Sequence, residues 1–134
     1  MKIFERSLIC AIVLLLLSGC SAENPAQLPD GQFFTVRVTS EDFSIFVTDQ
    51  ETIRLATENF QGRNNRFPIG RIVRGNGGFN QPWNWHLLPD TVRMAEVAIE
   101  LCDGRPSYVE SHINDYVNAG SYCPWAGKIV RVGR

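Results

Sequence analysis

After residue 20 the chain has a single lysine against ten arginines, only two cysteines and two histidines, and no acid between Glu58 and Asp90. Each shortage removes a class of function. Cys102, Cys123, His86 and His112 show no close ligand spacing, so no metal site is expected. No Gly-x-Ser-x-Gly elbow, His-Glu-x-x-His pair or calcium loop occurs, which removes the familiar hydrolase and metalloprotease signatures. Eleven cations against thirteen carboxylates beyond residue 20 leave a net charge of −2, the wrong sign for a nucleic-acid binder. The longest apolar run, Leu8 to Leu17, has ten residues, about half of what a membrane-spanning helix needs.

That run reads as part of an export signal. Lys2 and Arg6 precede it, diluted by Glu5, and Leu17-Ser18-Gly19-Cys20 follows, matching the bacterial lipobox in which the cysteine is acylated and becomes the mature amino terminus. Residues 1–19 are therefore expected to be removed, with Cys20 as lipid anchor. Ser21 in place of aspartate implies outer-membrane delivery in a cell with two membranes. Residues 20–31, with two prolines and no hydrophobic period, form a tether, and residues 32–134 form one domain. Cys10 leaves with the signal and Cys20 carries lipid. In an exported chain the remaining Cys102 and Cys123 are expected to pair as a disulfide.

The periodicity predicts an α+β domain in the order ββαβββαβ, a mainly antiparallel sheet of five to six strands with two helices packed on it. Phe33–Thr39 and Phe43–Val47 alternate as half-buried strands do, either as a hairpin or as one bulged strand. Thr48 and Glu51 read as a capping box for a helix ending near Phe60, with Ile53, Leu55, Ala56 and Phe60 apolar. A short strand is expected within Pro68–Arg74. Trp83–Leu88 and Thr91–Cys102 are expected to form a hairpin about Pro89-Asp90, placing Trp83, Trp85 and Leu87 opposite Glu96, Met94 and Val92, and His86 opposite Arg93. Ser107 and Glu110 repeat the capping box for a second helix ending at Gly120. Lys128–Val132 is the last strand.

The most specialised stretch is Gly70–Asp90. The glycines of Arg74-Gly75-Asn76-Gly77-Gly78 lead into Asn80-Gln81-Pro82 and a strand, whereas phosphate loops lead into a helix. They read as a compact turn, and no cofactor is expected. Trp83 and Trp85 share one face of a strand, either as a core edge or as the wall of a pocket. Arg63, Arg66, Arg71 and Arg74 fall in the acid-free segment, while six acids against Arg93 and Arg105 lie between Asp90 and Asp115. This split is either segregated solvated surface or an anion-facing patch. Glu96 and Glu100 stand about 13 Å apart along a strand, too far for the carboxylate pairs of glycoside hydrolysis, about 5–9.5 Å.

The run "RGNGGFNQPWNWHLLPDTVRMAEVAIELCDGRPSYVE", Arg74 to Glu110, with "FSIFVTDQETIRLA" and "YCPWAGKIV" beside it, resembles a little-characterised domain family. The family is named after a slime-mould calmodulin-binding protein, in which it is the amino-terminal domain. The resemblance spans about Phe43 to Val130 and implies no catalytic residue. Calmodulin is not expected as a partner, because neither predicted helix is basic and amphipathic.

Three functions follow as expectations. The first is a lipid-anchored, non-enzymatic binding domain of the cell envelope, taking an unknown small-molecule or protein ligand with an anionic or aromatic group. Its binding residues would be Arg71, Arg74, Asn76, Trp83, Trp85 and His86. The second is a small hydrolase in which His86 works with Glu96, Asp103 or Asp90. The third is a structural or inhibitory envelope protein acting through an exposed apolar patch.

Overall fold

The structure, a computed structural model, describes residues 30–134; the expected signal, Cys20 and the expected tether up to residue 29 lie outside the described residues. The fold is α+β, with antiparallel pairing throughout and a Cys102–Cys123 disulfide. Strands β1 (Gln32–Val38) and β2 (Glu41–Val47) are a hairpin closed by Thr39-Ser40, and β7 (Lys128–Val132) pairs with the other side of β1. The alternation in these strands turns Phe34, Val36, Phe43 and Ile45 into the core and leaves Arg37 and Asp42 outside.

The single five-to-six-stranded sheet is corrected to one three-stranded sheet, ordered β2-β1-β7, and two two-stranded ribbons. The expected hairpin of Trp83–Leu88 with Thr91–Cys102 does not form. Instead β5 (Trp85–Leu87) pairs with β4 (Ile72–Arg74), and β6 (Arg93–Ala95) pairs with β3 (Phe67–Ile69). The segments from 67 to 74 and from 85 to 95 thus run side by side as one broken ribbon. Pro89–Thr91 does not reverse the chain but forms a 3-10 turn. Its five-residue excursion from Leu88 to Val92 faces only Gly70-Arg71 across the ribbon. It is tied there by Leu88 N–H to the Arg71 carbonyl (2.9 Å) and by Arg71 N–H to Thr91 Oγ1 (3.0 Å). The actual partners are Arg74 for Trp85, Val73 for His86 and Ile72 for Leu87.

Helix α1 (Gln50–Phe60) starts one residue later than the Thr48 capping box implies. Asp49 is the cap, accepting hydrogen bonds from the Thr52 hydroxyl (2.7 Å) and amide (2.9 Å), which hold its carboxyl below the usual range. Its buried positions are Thr52, Ala56 and Asn59, not Phe60, which is exposed. Asn59 is buried because it joins three segments: Oδ1 accepts from the Ile129 amide (2.9 Å), and Nδ2 donates to the Arg66 carbonyl (2.8 Å) and Asn64 Oδ1 (3.0 Å). The second expected helix is two, α2 (Pro106–Ser111) and α3 (Ile113–Ala119), broken at His112. Glu110 makes no capping box and turns instead to Asn84.

The core contains an aromatic ladder from Phe43 through Trp85 and Tyr122 to Tyr116, with neighbouring ring centroids 5.4, 5.3 and 5.9 Å apart. Burial is the main cause that pushes Tyr116 up to about 12, and it raises Tyr122 further; the Tyr122 hydroxyl donates to the Gly104 carbonyl at 2.7 Å. The disulfide links residues 21 apart with 5.1 Å between Cα atoms, and Tyr122, beside it, bridges Gly70. Reduction is expected to lower stability by about 3 kcal/mol, by the entropy of a loop this long. Urea unfolding with and without reductant measures it, and an unchanged midpoint would refute it.

Candidate functional site

The glycine turn is built around two side-chain contacts. Gly75, Gly77 and Gly78 have φ of 85°, 65° and 83°, a region that glycine enters without strain. At Gly77 a Cβ would lie 2.8 Å from the His86 ring, so this position also lacks space for a side chain. His86 Nδ1 lies 2.7 Å from the Gly75 carbonyl. A carbonyl can only accept, so Nδ1 carries the proton.

Asn80 is the second fixed point. It is fully buried, with Oδ1 accepting the Ser44 amide and Nδ2 donating to the Trp85 carbonyl, both at 2.7 Å. Ser44 lies on β2, the outer strand of its sheet, so the asparagine covers part of an edge that would otherwise be unpaired. The turn is thereby locked against the sheet, with Phe79, Gln81 and Pro82 along the seam.

The six residues expected to bind ligand do not converge. Trp85 is fully buried in the core. Trp83 is half-buried, stacked on Trp85 at 6.3 Å, and its indole donates to the Asp42 carbonyl at 2.9 Å. Asn76 Oδ1 accepts the Gly78 amide at 2.8 Å and stabilises its own turn. The Arg74 guanidinium bonds to Asn114 Oδ1, in a hollow of about 390 Å³ with Asn84 and Glu110. Arg71 is exposed beside the 3-10 turn, away from Arg74.

Two of the three carboxylates named as partners for His86 are engaged elsewhere. Glu96 pairs with Arg66 at 2.8 Å, and Asp103 Oδ1 accepts the Trp125 amide at 2.9 Å. Arg93 sits by the Asp90 carbonyl at 3.0 Å. Phe79 stands edge-on to His86 at 5.5 Å.

What the fold does assemble is a cleft between the turn and the open face of the three-stranded sheet. It has a volume of about 420 Å³ and is lined by Thr35, Arg37, Asp42, Ser44, Gln81 and Arg131, among others. A second hollow of about 300 Å³ shares Ser44, Gln81 and Arg131 and adds Phe33, Phe79 and Arg134. Arg37 grips both oxygens of Asp42 through Nε and one terminal nitrogen, at 2.7 and 2.8 Å. This hydrogen-bonded pairing keeps the Asp42 carboxyl below its usual range, against partial desolvation, with the Arg131 charge adding to the effect. Arg131 Nε donates to Thr35 Oγ1 at 3.2 Å, and the guanidinium of Arg134 lies 4.1 Å from the Phe33 ring centre.

These residues are absent from the expected site. One signal was present: the alternation of FFTVRVT puts Thr35 and Arg37 together on the outer face. Nothing in the chain marks Arg131 as their neighbour, because that depends on β7 returning beside β1.

A different feature lies near the disulfide. Val97, Ile99 and Leu101 are 84%, 68% and 71% exposed, with Trp125 at 43%. The small residues Ala95 and Ala98 pack inward against the cystine cluster, so the large ones face outward.

Among the described residues no helix is long and apolar enough to cross a membrane. No curated protein and no solved structure matches the chain. A family model does: the BP-74 N-terminal domain matches residues 30–134, the whole of the described domain. The match agrees with the resemblance carried by Arg74–Glu110, to the family named after the calmodulin-binding protein. The chain therefore belongs to the BP-74 N-terminal domain family.

Proposed function

We propose that this is a lipid-anchored protein of the bacterial cell envelope, held by acyl chains on Cys20 and delivered to the outer membrane. Its domain is a non-enzymatic binding module whose ligand lies in the cleft between the glycine turn and the open sheet face. The observation that carries this reading is the pinning of the turn by Asn80. A buried side chain spends both hydrogen-bonding ends holding Phe79, Gln81 and Pro82 over hydroxyl and guanidinium groups. A rigid concave surface with convergent polar groups is the usual form of a binding site. His86 donates its Nδ1 proton to the Gly75 carbonyl rather than to a carboxylate, which favours a binding role over the hydrolase in which His86 works with an acid.

The exposed row of Val97, Ile99 and Leu101 favours a second reading, a structural or inhibitory protein that contacts its partner through an apolar patch. One experiment separates the two. Full-length protein is purified from envelopes as wild type, as Ser44→Trp, which fills the cleft, and as a Val97→Ser, Ile99→Ser, Leu101→Ser triple variant. The first reading predicts that a co-purifying component is lost only with Ser44→Trp; loss only with the triple variant would replace it with the second. In the same cells, palmitate labelling should vanish in Cys20→Ser, and labelling that persists would refute the anchor.

A further inference from the structure

We propose that the cleft contains a subsite for a phosphate-type oxyanion, formed by Arg37 and Arg131 with Arg134 at its margin and the Ser44 and Thr35 hydroxyls and the Gln81 amide around them. This inference rests on the reading of the cleft as the ligand face and goes beyond it by naming the chemistry of the ligand.

Three guanidinium charges border the two connected hollows, and Asp42 is the one carboxylate side chain lining them among the described residues. Asp42 is already held in a bidentate pair with Arg37 through Nε and one terminal nitrogen, so the other terminal nitrogen of Arg37 still has its protons to give. Arg131 uses Nε on a neutral hydroxyl and makes no ion pair among the described residues. Its planar fork of terminal donors matches the spacing of two oxygens on one phosphorus. A dianion would leave the cluster of side chains close to neutral. A carboxylate would offset only one charge and present two oxygens to donors arriving from both hollows. Two other arginines are already neutralised, Arg54 by Glu51 and Glu58 and Arg66 by Glu96.

The same chemistry has two sources, a lipid headgroup and a phosphate on a soluble or polymeric ligand. The test follows the Arg37 and Arg131 Nε–Hε resonances of the full-length protein in neutral detergent. It is titrated with inorganic phosphate, with acetate, and with bicelles of phosphatidylglycerol or phosphatidylcholine. The expected result is a saturable shift of both resonances, with dissociation in the millimolar range, about 4 kcal/mol of binding. Read at Arg37, phosphate affinity should weaken at least tenfold in Arg131→Ala, be partly kept in Arg131→Lys, and be unaffected in Arg54→Ala.

A shift with inorganic phosphate supports a free or polymer-borne phosphate, and one confined to phosphatidylglycerol supports a headgroup. Equal response to acetate, survival of the shift in Arg131→Ala, or no response in any arm overturns the proposal. If these arms fail while Ser44→Trp still releases the envelope component, the oxyanion subsite falls and the binding reading stands. If Ser44→Trp also has no effect, both fall.

Discussion

Replacing Asn80 with alanine is expected to lower the free energy of unfolding by about 3 kcal/mol, because two hydrogen bonds disappear at once and one of them, to the Trp85 carbonyl, is buried. A buried group orphaned in this way costs about 1–3 kcal/mol. Here the orphans are the Ser44 amide on an outer strand and the Trp85 carbonyl in the core. Aspartate at this position should not restore stability. It keeps the acceptor for Ser44 but turns a carboxylate toward the Trp85 carbonyl, which needs a donor. Asn76→Ala is the control, since Asn76 bonds only within its own turn through its side chain, and it should cost less than about 1 kcal/mol. Urea titrations monitored by tryptophan fluorescence measure all three. Equal midpoints for Asn80→Ala and Asn76→Ala would show that the turn and the sheet are not joined through this residue.

The second large effect is at Trp85. Truncation to alanine should cost about 4 kcal/mol, within the range for emptying a buried tryptophan site, because the side chain is fully buried between Phe43, Trp83 and Tyr122. Phenylalanine should cost much less than its lost volume suggests. The Trp85 indole N–H is buried with no hydrogen-bond partner among the described residues, so removing it also removes a desolvation penalty. The expectation for Trp85→Phe is under about 2 kcal/mol. If phenylalanine proves as damaging as alanine, the N–H is satisfied in solution. Both variants should leave the cleft's anion response intact at temperatures where they are folded.

The strand character of β1, β2 and β7 and, to within one residue at its start, helix α1 were legible in the chain because their signals are local: alternation, a capping residue near the helix start, and a glycine stop. The cystine was legible because the export reading leaves two thiols. The pairing of the tryptophan strand was not. Pro89-Asp90 has the composition of a reversal, and only the competing strand from Phe67 to Arg74, some twenty residues away, decides that it becomes a 3-10 excursion. Trp83 and Trp85 were correctly placed together, but burial separates them: the second fills the core and the first closes over it. The candidate site was largely illegible, since Arg37 and Arg131 lie far apart in sequence. Asn80 has no local mark distinguishing it from Asn76 or Asn84. A buried asparagine that serves two distant backbone groups is a property of the assembled fold.

The pairing of β1 with β7 has a consequence for how this chain is made. The first strand of the domain is completed by its last, so β1 waits for a partner that lies roughly 90 residues downstream, a separation that slows folding. On the proposed export route the sheet therefore cannot close until the carboxyl-terminal strand has emerged from the translocation channel. The chain would remain threadable until that strand emerges.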